Sequence, residues 1–179
     1  MNVEEQTVIR ENPMRAIRVE KIVMNIGVGK SGEQLERGKS VLSSITGVKK
    51  IWERKARSTI REFGIRKNEP IGVAVTIRGE RIGVLLPRLL KAIGMRLKRS
   101  SIVGRTASFG IREHIEIPGV RYDPRMGIFG MDVTVVLERP GYRVSRRKRR
   151  TSDIGHRAII SSEEAANFLT SKYGVTVLS

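Results

Sequence analysis

The sequence predicts an α+β protein: a mainly antiparallel sheet with helices packed on one face, the other face open, and long basic loops. Three observations carry this. Four segments alternate apolar with small or polar residues at a period of two, as strands buried on one face do. Three segments repeat apolar residues at helical spacing. Their order is strand, helix, strand, helix, strands, helix, which suits an antiparallel sheet with segregated helices. The length, 179 residues, fits one domain large enough to bury a core.

Residues 1–16 show no period, and Pro13 among mixed charges reads as a flexible tail; residues 17–179 read as a single domain that includes a basic segment at 140–157. Ile22, Met24, Ile26 and Val28 alternate with Val23, Asn25, Gly27 and Gly29, a first strand. Ser31-Gly32-Glu33-Gln34 has the form of a capping box opening a helix over about 32–46, through Leu35, Val41, Leu42 and Ile45, with Gly47 as its left-handed stop. Ile51-Trp52 could begin a short strand, and the basic stretch after it reads as a long loop. Ile71, Val73, Val75 and Ile77 alternate with Gly72, Ala74, Thr76 and Arg78 in a second strand.

A second helix is expected from Glu80 to about Leu97, kinked or restarted at Pro87, where a backbone donor is missing. Residues 98–108 read as a loop, Phe109–Ile117 as a third strand and Met131–Leu137 as a fourth. Ser161-Ser162-Glu163-Glu164 is a second capping box, opening a helix that Gly174 ends.

The chain holds 35 Lys and Arg against 18 Asp and Glu, a formal net charge of +17. Such an excess opposes compaction by self-repulsion and points to a polyanionic partner, nucleic acid before a membrane surface. Cysteine is absent, which excludes disulfides, thiolate metal sites and Cys nucleophiles. The acidic, polar Met1–Gln6 does not read as a signal peptide, and no apolar run approaches the roughly 20 residues of a membrane span. His114, placed on a strand between Glu113 and Ile115, reads as a surface residue, and His156 has no evident partner. No nucleophile–base constellation and no metal set appears, so no catalytic residue, cofactor or metal is expected.

Gly27-Val28-Gly29-Lys30-Ser31-Gly32 matches G-x-G-x-x-G between a strand and a helix, with Glu53 about 20 residues on. Too few alternating strand–helix units follow for a dinucleotide fold, and Met24 stands where a P-loop needs its first Gly. The glycines instead shape a tight turn, and the helix N-terminus with Lys30 could hold an RNA phosphate.

The positive charge is clustered: eight basic residues and no acid over Arg81–Arg112, six against Glu62 over Arg54–Lys67, and six without an acid over Arg143–Arg150. With the apolar strand positions facing the core, Lys21, Asn25, Gly27, Gly29, Gly72, Ala74, Thr76 and Arg78 form a low, polar outer face. Small residues allow close backbone approach there, while Asn and Thr offer hydrogen bonds to ribose, phosphate or base edges. No aromatic stands among these positions, so a base-stacking platform is not expected, and a folded RNA read by shape suits the surface better than DNA or a splayed single strand.

Asn12-Pro13-Met14-Arg15, Glu20-Lys21-Ile22-Val23-Met24-Asn25-Ile26-Gly27-Val28-Gly29, Lys55-Ala56-Arg57, Ile77-Arg78-Gly79 and Gly127-Ile128-Phe129-Gly130-Met131-Asp132 resemble the large-subunit ribosomal protein five (L-five) family over about 12–179. Arg139-Pro140-Gly141 with Arg146-Arg147-Lys148-Arg149 resembles its archaeal and eukaryotic branch, while Val48-Lys49 departs from the family pattern. The resemblance implies a non-enzymatic RNA-binding protein of the cytoplasmic ribosome. It implies 5S rRNA as partner, through Asn25, Thr76, Arg78 and Gly79, to which the helix N-terminus reading adds Lys30, joined to the large-subunit (23S-type) rRNA in the central protuberance. It further implies a loop to the P-site tRNA (Arg54, Lys55, Arg57, Ser58, Thr59, Arg61) and large-rRNA contacts at Arg99, Arg105, Arg143, Arg146, Arg147, Lys148, Arg149 and Arg150. Neighbouring proteins of the central protuberance and the small-subunit head are implied protein partners; a membrane is not.

Overall fold

A computed structural model describes residues 12–178; residues 1–11 of the expected tail lie outside the described residues. In chain order the elements are β1 (Arg18–Gly27), α1 (Glu33–Thr46), β2 (Trp52–Lys55), β3 (Pro70–Ile77), α2 (Arg81–Ala92), β4 (Arg96–Lys98), β5 (Ile102–Val103), β6 (Thr106–Ile111), β7 (Met131–Glu138), α3 (Ser162–Tyr173) and β8 (Thr176–Leu178). Six strands form one sheet in the order β2-β3-β1-β7-β6-β5, antiparallel throughout. β4 and β8 form a separate parallel pair. The expected α+β architecture is therefore present. The G-x-G-x-x-G turn follows a strand with two antiparallel neighbours, unlike the parallel sheet of dinucleotide folds.

Alternation sets the two faces. Ile22, Met24 and Ile26 of β1, Val73, Val75 and Ile77 of β3, and Val133, Val135 and Leu137 of β7 are each at most 2% exposed. They form one apolar cluster with Leu35, Val41, Leu42 and Ile45 of α1, the Leu-rich side of α2, and Ala165 and Leu169 of α3. Leu86, Leu89 and Leu90 are fully buried, each contributing about 1.5–3 kcal/mol. Gly38 faces the sheet without being required by it: a methyl there would meet Val28 and Val73 in ordinary van der Waals contact, at 3.5 and 3.6 Å.

Several expectations are corrected. Ser31 caps nothing. Gly32, at φ 97°, is the N-cap without a side-chain bond, and the Ser31 hydroxyl donates to Glu69 Oε1 at 2.7 Å, a stronger charge-assisted acceptor. α2 stops at Ala92 because Gly94 and Met95, at φ 65° and 58°, turn the chain into β4. Pro87 neither ends nor restarts that helix; the carbonyl it leaves free is that of Gly83, which is exposed and open to water. The third strand begins at Thr106, inside the expected loop, and ends at Ile111. His114 lies beyond it in a 3-10 turn and is 3% exposed, not a surface residue. β4, β5 and β8, of two or three residues each, are too short to show a period. The second capping box is present in full: Ser161 accepts from the Glu164 N–H and Glu164 from the Ser161 N–H.

Candidate nucleic-acid interface

Strand register shows which side chains stand together on the face away from the helices. One row across the sheet runs Trp52, Ala74, Asn25, Asp132, Gly110. The next runs Thr76, Val23, Thr134, Ser108, with the last two hydroxyls 3.1 Å apart. A third brings Arg54, Gly72 and Gly27 together. Asn25 and Thr76 thus share the outer face on adjacent strands. The floor is tight at Gly72, where a Cβ would lie 3.0 Å from the Ile26 carbonyl oxygen and 3.7 Å from Arg54 Cβ. A shallow depression beside Asp132 is lined by Gly27, Gly110, Arg112 and Gly130.

Lys30 is exposed in the β1–α1 turn, beside an α1 N-terminus without a side-chain cap. The first-turn acids of α1 are already paired, Glu33 with Arg37 at 2.7 Å and Glu36 with Lys39 at 2.5 Å. Lys39 also reaches Glu53 at 2.8 Å, tying α1 to β2; hydrogen bonds to Glu36 and then Glu53 hold its ammonium pKa above the ordinary value. Arg78 is exposed just past β3, continuing the outward side of Thr76, and Gly79 at φ 74° turns the chain into α2.

Residues 54–69 are more ordered than a loop. The Ala56 N–H donates to the Glu69 carbonyl at 2.8 Å, the Asn68 N–H to the Ala56 carbonyl at 2.9 Å, and Ile60 and Ile65 exchange bonds in a bridge. Thr59 Oγ1 accepts from the Lys67 N–H, and Glu69 accepts from the Arg66 N–H, which with Ser31 holds its carboxyl below the usual range. The result is an arm extending the β2–β3 pair. Lys55, Arg57, Ser58, Thr59 and Arg61 lie exposed along it, and Phe63 at its tip is 72% exposed. Arg54 belongs to the sheet face instead.

The basic segment after β7 is anchored to the body. Arg139, 8% exposed, donates to the carbonyls of Arg15, Arg157 and Ile159 and to Glu164 Oε1. Backbone donation at Ser161 and then the Arg139 guanidinium hold the Glu164 carboxyl below its usual range. Tyr142, 3% exposed, donates to the Ala158 carbonyl and accepts from the Ile160 N–H. Arg146 pairs with Glu20 and with Glu138, which Arg18 also holds at 2.7 Å. This closes the Glu138 end of the outer face, so only the end around Asn25 stays open.

The cations expected to meet the large rRNA therefore divide. Arg146 is paired with Glu20 and Glu138 though its side chain stays 43% exposed, Arg99 pairs with Glu163 at 3.0 Å, and Arg105 packs over the Tyr142 ring at 5.4 Å. Arg147 bonds the Arg150 carbonyl, and Arg143, Lys148, Arg149 and Arg150 project exposed. Among the described residues no group of His, Asp and Glu gathers as a metal site, and no helix is long and apolar enough to cross a membrane.

Residue reasoning misses Trp52, 61% exposed on the outer face, because the edge strand β2 carries no apolar alternation to reveal it. It also misses Phe63 at the arm tip and places Asp132 in no row. A strand assignment for 52–55 would bring Trp52 onto the face through register with Ala74.

The family model described as Ribosomal protein L5 matches residues 12–66, and the model for the C-terminus of the same ribosomal family matches residues 70–175. Three relatives carry the name large ribosomal subunit protein uL5. That of Sulfurisphaera tokodaii is 50% identical over 177 residues, 98% of each chain. That of Sulfolobus acidocaldarius is 47% identical, covering 94% of this chain and 95% of its own. That of Nanoarchaeum equitans is 43% identical, covering 94% and 99%. Matched in both halves and over almost its whole length, the chain belongs to the ribosomal protein L5 family, whose members are non-enzymatic constituents of the large ribosomal subunit.

Proposed function

We propose that this chain seats 5S rRNA on the large-subunit rRNA in the central protuberance, while its 54–69 arm reaches the P-site tRNA. The observation that carries the reading is the open end of the outer sheet face, where Asn25 stands beside the exposed Gly27, Asp132 and Gly110, with Thr76 one row away. Such a face admits a ribose–phosphate backbone closely and offers it neutral hydrogen-bond partners, the way folded RNA is gripped by shape. Lys30 lies just past the Gly27 edge of this end and supplies charge there, while Arg78 and the Gly79 turn stand at the other end of β3, level with Lys21. Arg143, Lys148, Arg149 and Arg150 lie on the anchored segment beyond the covered end and face a second RNA, with Arg99, Arg105, Arg146 and Arg147 shaping that surface.

The test is a binding titration with 5S rRNA. Asn25→Ala and Thr76→Ala should each weaken binding several-fold while the melting temperature stays near wild type, since neither side chain is in the apolar cluster. Wild-type affinity in both variants would remove the reading.

A further inference from the structure

We infer that Trp52 is a stacking platform for a nucleobase of the RNA held on the outer sheet face; the inference rests on the function proposed above and specifies how one base is gripped. Trp52 is the only tryptophan of the chain, in a protein with 4% aromatic residues. Burial normally decides where so large an apolar side chain goes, yet this one is 61% exposed. It stands on the open face, in register with Ala74 and, one strand further, Asn25. Ala74 between them is 3% exposed, so the indole itself, not the step beside it, is the surface on which a planar group can lie.

The surroundings favour a base over an apolar protein partner. Lys50 Nζ lies 5.1 Å from the indole centroid, and Arg54 follows on the same face beside Gly72. A nucleotide satisfies all of these together. Its base uses the indole, its edge reaches Asn25, and its phosphate takes the ammonium of Lys50 from the ring. An apolar surface would bury both cations unpaired, which is costly. The edge position of β2 leaves the indole approachable from the side of the sheet as well as from above.

Because Trp52 is the sole tryptophan, its emission reports on this contact directly. Full-length protein titrated with 5S rRNA should lose emission in step with binding measured independently by filter retention. Trp52→Phe should bind close to wild type. Trp52→Leu should lose roughly fivefold or more in affinity, the range for one base–aromatic stack, with an unchanged melting temperature. The salt dependence of binding should keep its slope in Trp52→Leu, because no phosphate contact is removed. Unchanged emission on binding, or a Trp52→Leu variant that binds as tightly as wild type, overturns the stacking role and leaves the RNA reading intact. Failure of the wild-type chain to bind 5S rRNA overturns both.

Discussion

At His114 the imidazole is 3% exposed, and its Nδ1 accepts the Phe129 N–H at 3.3 Å. Burial, the dominant effect, lowers its pKa below the ordinary 6.5, against a weaker opposing pull from the Glu113 charge. The folded state therefore binds a proton less readily than the unfolded chain. The stability this confers is complete above pH 6.5 and declines as pH falls from there towards the folded pKa, at up to about 1.4 kcal/mol per pH unit for one proton. Thermal melts between pH 7 and 5 should show the decline, and His114→Asn should flatten it. The same residue marks a limit of pattern reading. Its neighbours in sequence look like an exposed strand, and only the fold brings Phe129 against it. Asn25 and Thr76, in contrast, are placed on the outer face by alternation alone, because each sits between two apolar residues on a long strand.

Among the elements, the arm at 54–69 differs most from expectation. Its cations suggest a loop, and no apolar stripe betrays a strand in which all four residues of β2 are exposed. Cross-strand backbone bonds nevertheless hold Ala56 against Glu69 and Ile60 against Ile65. A stiffened arm presents its charges at a fixed distance from the sheet, so the two binding surfaces should separate experimentally. Replacing Lys55, Arg57 and Arg61 together by Ala should spare 5S rRNA binding and weaken P-site tRNA retention in assembled ribosomes. Equal loss of both in filter and ribosome assays would show that the arm and the sheet grip the same RNA. The helices are legible from their apolar spacing, and α1 and α3 from their glycine stops, but the end of α2 is not, because its apolar period runs on through Leu97 past the turn at Gly94 and Met95. The start of α1 is not, because Ser31 finds a distant carboxylate that no local pattern reveals.

For the molecule as a whole, a net charge of +17 acts with opposite sign on folding and on binding. Added salt screens self-repulsion within the protein and also weakens its attraction to phosphates. Raising salt from low to moderate concentration should lift the melting temperature of the free protein. Affinity for 5S rRNA should fall over the same range, with a logarithmic slope of about −0.7 to −0.9 per phosphate neutralised. A flat binding response would mean that the exposed cations do not touch the nucleic acid. The sheet's connectivity has a temporal consequence too. The row that brings Ala74, Asn25 and Asp132 side by side draws on β3, β1 and β7, and β1 precedes its neighbour β7 by more than a hundred residues. A growing polypeptide that has extruded only its first half thus has Asn25 flanked by Ala74 on one side and by no strand on the other. Until translation has passed Glu138 the sheet therefore stops at β1, whose far edge is left as an unpaired ladder of backbone groups.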